Sequence, residues 1–207
     1  MCGRFALSAK TEDIEKLVQG MTVNQNLPPR TNIAPTQKIA ALANDGNFEL
    51  KYYKWGLIPR WAKDESIGNK LFNARSETLS EKPSFRDAFK YRRCLIFTDW
   101  FYEWQKLQDA KTKQIYKIGM ADGKTFTFGG LWEQWRNPNG ETILSATIIT
   151  TSPNKVMEPI HERMPVIIPY EIRLDWLEGK SSIESLKDMM APFPEDNMIA
   201  IPIDKIL

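Results

Sequence analysis

Short runs rich in Ile, Val, Phe, Thr and Trp, punctuated by turn-forming pairs, fill the middle of this chain and commit it to a sheet. Residues 38–43 and 48–55 read as two strands flanking Asn44-Asp45-Gly46-Asn47, a hairpin turn. Further strands are expected at 92–97, 100–105, 115–120, 125–131, 142–150 and 166–168, with a last one near 198–203. Asp122-Gly123 and Asn139-Gly140 supply turns between neighbours. Helices fall near the ends. Residues 12–19 follow Thr11 as a cap, place Glu12 and Asp13 at the positive end of the dipole, and align Ile14, Leu17, Val18 and Met21 on one face. Two late helices are expected near 171–178 and 183–190, the second with Ser181 and Glu184 at capping-box spacing. The prolines of Leu27-Pro28-Pro29-Arg30 and Asn32-Ile33-Ala34-Pro35 forbid regular helix and favour an extended, fixed loop. No repeat, low-complexity tract or long linker divides the chain. Strands in hairpin order with peripheral helices predict a single α+β domain over residues 1–207, built on a largely antiparallel, strongly curved, barrel-like sheet.

Composition narrows the setting. At 207 residues, 42% apolar and 26% charged, the profile is that of a soluble globular protein that needs no staple to bury a core. No apolar run is long enough to span a bilayer, and Met1-Cys2-Gly3-Arg4-Phe5 lacks the layout of a signal peptide. Two cysteines, Cys2 and Cys94, are too few for a disulfide scaffold, so free thiols in a reducing cytoplasm are expected. The net charge of +2 does not suit a protein that coats nucleic acid through bulk charge. Between Lys51 and Arg93, however, eleven basic residues face five acidic ones, which fits either a basic face or ordinary solvated surface.

Several familiar motifs fail on inspection. Gly119-Met120-Ala121-Asp122-Gly123-Lys124-Thr125 is one residue short of a phosphate-binding loop and leads into a strand, so it reads as a hairpin. His161-Glu162 begins like a zinc-protease helix, but the chain has one histidine and no metal-ligand spacing, so no metal and no cofactor are expected. Gly-x-Ser-x-Gly and Gly-x-Gly-x-x-Gly are both absent.

Chemistry concentrates elsewhere. Trimming of Met1 would leave Cys2 with an amine and a thiol on adjacent carbons, whose reference pKa values are roughly 7.7–8.0 and 8.5. Such a pair condenses with an aldehyde to an imine and closes a thiazolidine, which an internal cysteine cannot do; alternatively Cys2 is a buried, incidental residue. His161, bracketed by Pro159 and Pro165, suits proton transfer or a structural hydrogen bond. Glu103, among the aromatics of Trp100-Phe101-Tyr102-Glu103-Trp104, is a candidate acid/base if buried and a solvated carboxylate if not. On strand alternation Phe101, Glu103 and Gln105 share one face. Within the basic stretch, Asn73 could orient a reactive group and Arg75 pair with phosphate, and Arg4 could hold a phosphate beside Cys2. Trp55-Gly56-Leu57-Ile58-Pro59-Arg60-Trp61 offers aromatics for stacking on unpaired bases, or for filling a core.

Taken together these segments resemble the SOS-response-associated peptidase (SRAP) family. The matching blocks are residues 1–5, 32–35, 55–61, 73–78, 100–104 and 160–165, in family order. The resemblance implies a sensor of abasic sites in single-stranded DNA that, once Met1 is removed, couples covalently through Cys2 to the ring-opened sugar as a thiazolidine crosslink. It implies Cys2 as nucleophile, Asn73 positioning its amine, and Glu103 and His161 moving protons. Arg4 and Arg75 would grip phosphates, with Pro35 and Trp61 wedging or stacking at the lesion. The family often carries an aromatic where Thr31 stands. A competing β-elimination (lyase) activity is implied by an imine at C1′. The protein would be a monomer of the bacterial cytoplasm, on the nucleoid when bound to DNA, with no membrane partner. The alternatives are a thiol or self-processing peptidase using Cys2, and a non-covalent single-strand binding module.

Overall fold

A computed structural model describes residues 2–106 and 113–206; the expected trimming of Met1 lies outside the described residues. The strands are β1 (Arg4–Leu7), β2 (Arg30–Ile33), β3 (Lys38–Ala43), β4 (Leu50–Trp55), β5 (Asn73–Arg75), β6 (Arg93–Thr98), β7 (Trp100–Lys106), β8 (Lys113–Met120), β9 (Phe126–Arg136), β10 (Thr142–Thr151), β11 (Met164–Pro165) and β12 (Met198–Ile203). The helices are α1 (Thr11–Glu15), α2 (Arg86–Tyr91), α3 (Arg173–Leu177) and α4 (Ile183–Asp188), with short 3₁₀ turns between.

Strands β10, β4, β3, β6 and β9 pair in that order, and β9 pairs back onto β10, closing a five-stranded barrel. A second sheet runs β12-β8-β7-β1-β2. Pairing is antiparallel except where β4 and β5 meet β10 in parallel. This is the α+β, barrel-like architecture expected. One buried cluster extends from Phe5 and Ile33 in the open sheet through Trp55, Leu95, Phe128 and Ile148 of the barrel. Edge-to-face ring contacts, Phe5 with Trp55 at 5.1 Å and with Phe128 at 5.8 Å, join the two layers.

The chain changes sheets at Asp99, between β6 and β7. Its carboxylate accepts the Ser8 and Ala9 amides at 2.5 and 3.1 Å and the Thr125 hydroxyl at 2.6 Å, so one short side chain ties β1 to both layers. A buried guanidinium performs a similar service for the helices. Arg93 donates to the Phe89 and Lys90 carbonyls of α2 and to those of Trp176 and Glu178 at the end of α3. Carbonyls left open at helix ends are favourable acceptors for a cation.

Local expectations need correction at several points. The first helix is shorter than 12–19: it begins at Thr11, Lys10 takes the cap position and no side chain caps it. The cap of α4 is Ser182, which accepts the Ser185 amide, not Ser181. The 27–35 segment contains β2, and α2 was unmarked by any strong periodicity. The second strand starts at Leu50 because Phe48 takes a positive φ of 49°. Residues 166–168 form no strand of their own, only an Ile167–Phe128 bridge. Most informative is the turn at 121–124. It is not a hairpin, because β8 pairs with β7 and β12 whereas β9 pairs with β6 and β10. The turn carries the chain from one sheet to the other, with Gly123 at φ 71°.

Candidate functional site

Strand β1 brings the start of the chain to β7, with Arg4 opposite Tyr102 and Phe5 opposite Phe101. Cys2, just beyond that register, is fully buried. Its Sγ lies 4.0 Å from the Arg4 carbonyl, and its own carbonyl accepts a 2.7 Å hydrogen bond from Asn73 Nδ2. Burial pushes the Cys2 thiol well above its ordinary pKa, and the nearby Glu103 charge pushes in the same direction. Glu103 is itself buried, on the inner face of β7. Cys2, Asn73 and Glu103 therefore meet although they are spread over half the sequence. Asn73 Oδ1 is buried and makes no hydrogen bond among the described residues. An acceptor without a donor thus sits on the same amide that holds Cys2.

Asn73 is delivered by β5, which lies in parallel register with β10, Asn73 opposite Ile148 and Arg75 opposite Thr150. Strand β11 joins β10 at Thr150 and Thr151. The turn that precedes β11 is fastened twice. Gln105 Nε2, two residues from Glu103, donates to the Pro159 carbonyl at 2.7 Å, and Tyr116 donates to the oxygen of the same amide at 3.2 Å. Arg163 clamps both oxygens of Glu77 at 2.6 and 2.9 Å and also reaches the Thr150 carbonyl. These bonds set His161 beside Trp104 and Gln105, at a cavity of about 320 Å³. His161 Nδ1 accepts the Arg163 amide at 3.0 Å. That bond assigns the proton of the neutral ring to Nε2, which makes the ring a donor at that atom.

Of the residues expected to contact DNA, Arg4 donates to Asn32 Oδ1 at 2.6 Å and forms no ion pair among the described residues. Arg75 is exposed, and strand alternation puts it on the same face as Asn73. Pro35 and Trp61 make no hydrogen bond or ring contact to the Cys2 neighbourhood among the described residues. Their loops are nonetheless joined to each other: the Thr36 amide donates to the Trp55 carbonyl and the Trp55 amide to that of Gln37, both at 2.8 Å. Trp55 is core and Trp61 is 59% exposed, so the two tryptophans of one segment have opposite fates. Gln105, Glu77 and Arg163 were not singled out by sequence reasoning, although Arg163 and Glu77 lie in the motif blocks. Nor was Glu133, a buried carboxylate that holds Arg60 at 3.0 Å and Arg92 at 2.6 Å. It had no local signal.

Among the described residues no cluster of three or more His, Cys, Asp or Glu could hold a metal ion, and no helix is long and apolar enough to cross a membrane. Both cysteines are free and buried.

Comparison with known proteins gives a consistent result. The family model described as SOS response associated peptidase (SRAP) matches residues 1–207. The abasic site processing protein YoqW of Bacillus subtilis is 44% identical over 214 residues, covering 100% of this chain and 94% of YoqW. The abasic site processing protein YoaM of the same organism is 42% identical, covering 100% of this chain and 92% of YoaM. A crystal structure of a protein from Bacteroides thetaiotaomicron superposes with a TM-score of 0.91 at 26% identity, covering 98% of this chain and 92% of that one.

Proposed function

This chain belongs to the SOS response associated peptidase (SRAP) family, and from that premise we propose that it senses abasic sites in single-stranded DNA and traps them covalently through Cys2. The observation that carries the reading is the placement of Cys2, its carbonyl held by Asn73 and its thiol kept neutral by burial beside Glu103.

Removal of Met1 frees the Cys2 amine. That amine adds to the C1′ aldehyde of the open sugar, giving a carbinolamine. Loss of water gives the imine: the Glu103 carboxylate would take a proton from the amine nitrogen and pass it to the departing hydroxyl, while the Nε2–H of His161 would donate a hydrogen bond to that oxygen. Asn73 Oδ1 is the group available to accept an amine hydrogen and aim its lone pair at the carbon. The thiol then adds across C=N. A carbon–sulfur bond forms and the thiol proton passes to nitrogen, so the five-membered ring closes with no further loss of atoms. A protonated thiol suits this order, because the amine acts first and the thiol delivers its own proton. The same thiol is poorly suited to a thiolate peptidase, which needs the opposite shift. Ring closure also draws the imine away from β-elimination and keeps the strand intact. Arg4 and Arg75 would hold the flanking phosphates, and exposed Trp61, with Pro35 in the adjoining loop, would meet the unpaired bases.

The test is the intact mass of the protein after incubation with a short single-stranded oligonucleotide carrying one abasic site. The expected adduct is protein lacking Met1 plus DNA minus one water, stable to denaturation and absent with Cys2→Ala. No adduct from protein confirmed to begin at Cys2 would overturn the reading.

A further inference from the structure

Strand β8 runs on from Tyr116, the residue opposite Glu103, to Met120 at the rim of a separate cavity. The offset is about 13 Å of extended chain. This cavity shares no lining residue with the one beside His161. It encloses about 400 Å³, with Phe126, Ile168, Pro169 and Phe193 as an apolar wall.

Its charged lining is uneven. Asp122, Lys124 and Glu171 are exposed, and the Lys124 ammonium already pairs with Asp122 at 2.9 Å. Arg173 is only 5% exposed. Its Nε donates to Thr127 Oγ1 at 3.1 Å and its Nη1 to the Leu17 carbonyl at 2.8 Å, both neutral acceptors. The Tyr170 ring lies against the guanidinium, 5.3 Å from Cζ. Among the described residues Nη2 has no hydrogen-bond partner and no carboxylate lies within ion-pair distance of the group, the Glu171 charge acting on it only from further away. Burial lowers its pKa to about 10, which leaves it cationic at neutral pH. Arg93 is the contrast within the same molecule, equally buried but with each of its three nitrogens donating to backbone carbonyls. Arg173 lines the cavity and its Nη2 is not sealed from it, so a cation otherwise enclosed by protein presents one open donor face there to an anion.

We propose that this cleft binds a small organic carboxylate, with the Nη2 side of Arg173 taking the carboxylate and the apolar wall taking its hydrocarbon body. A bare inorganic anion would leave that wall unused, whereas a cavity of this volume with one polar anchor suits a small amphipathic ligand. The same chemistry is offered by a free aryl or branched acid and by the C-terminal residue of a peptide. The inference does not depend on the Cys2 chemistry.

Amide-shift titration of the full chain distinguishes these cases, using 3-phenylpropanoate, a tetrapeptide ending in phenylalanine with a free carboxylate, and neutral 3-phenylpropanamide. Saturable shifts at Thr125, Phe126 and Tyr170 are expected for at least one of the two carboxylates, with affinity about tenfold above the amide's. Response to the peptide alone assigns a peptide C-terminus, and response to the free acid alone assigns a metabolite-like acid. Because Arg173 also braces the fold, the supporting variant is Glu171→Gln. Removing that exposed carboxylate from the rim should tighten binding by about threefold. Equal response to acid and amide, shifts confined to other regions, or no saturable shift up to about 10 mM would overturn the proposal, as would a Glu171→Gln protein that binds no better.

Discussion

Asn73 does two things with one small side chain. Its nitrogen holds the Cys2 carbonyl and its oxygen is left as a buried acceptor. Losing one neutral hydrogen bond costs about 0.5–1.5 kcal/mol. In single-turnover crosslinking, Asn73→Ala is therefore expected to slow adduct formation by about 3- to 10-fold while lowering the unfolding midpoint by only about 1–6 °C. An unaltered rate would remove Asn73 from the positioning role. The thiols make a second check. Burial raises the pKa of both Cys2 and Cys94, so the reactive thiolate is scarcer at neutral pH than for an ordinary cysteine. Alkylation of the native protein should be slow at pH 7 for both residues and become fast only on unfolding. Rapid native labelling of Cys2 would contradict the burial that the proposed order of bond formation relies on.

The turn between β10 and β11 owes its shape to an ion pair from a different part of the chain. Arg163 holds Glu77 by two bonds, and this lowers the Glu77 pKa below its ordinary 4.5. A carboxylate depressed on folding contributes stability above its unfolded pKa and loses that contribution as the pH falls through its folded one. Glu77 is about half exposed, so the contribution is small. Glu77→Gln should lower stability by less than about 1 kcal/mol near neutrality, with the gap to the parent closing as the pH drops below about 4.5. Crosslinking should suffer more than stability, because the clamp also places His161. A variant whose stability deficit persists unchanged at acid pH would show that the pair is not its origin. Elements of this kind are poorly legible in sequence. The long strands β9 and β10 are visible because alternation over many residues is a local signal, whereas β1, β2 and β5, at three or four residues each, are too short to show a period. They form because a partner strand is waiting.

One close backbone approach lies where the chain leaves β4 beside β10. Gly56 follows Trp55 at φ 137°, and a Cβ there would lie 2.4 Å from the Gly68 carbonyl oxygen. Neither backbone can retreat easily, since the Gly56 amide donates to Ala146 of β10 and the Leu57 amide to Leu71. Gly56→Ala is expected to cost about 2–4 kcal/mol and to lower the midpoint of thermal unfolding by roughly 5–15 °C. A shift within a degree of the parent would mean that the contact relaxes freely.

Cys2, Glu103 and His161 stand out as candidates from residue type, position and block order, and the α+β class was legible from strand runs and turn pairs. These are properties of a residue and its close neighbours, which local backbone preference and side-chain chemistry settle. Which tryptophan of the 55–61 segment is core and which meets solvent was settled elsewhere. So was whether Asp122-Gly123 closes a hairpin or crosses between sheets, and why Arg93 is satisfied while Arg173 faces a cavity. In each case the deciding partner lies far along the chain: Phe5 for Trp55, β10 for β9, Trp176 and Glu178 for Arg93. A guanidinium or an indole has the same intrinsic preference wherever it occurs, and only packing in three dimensions sets which acceptors it meets and how much water it keeps.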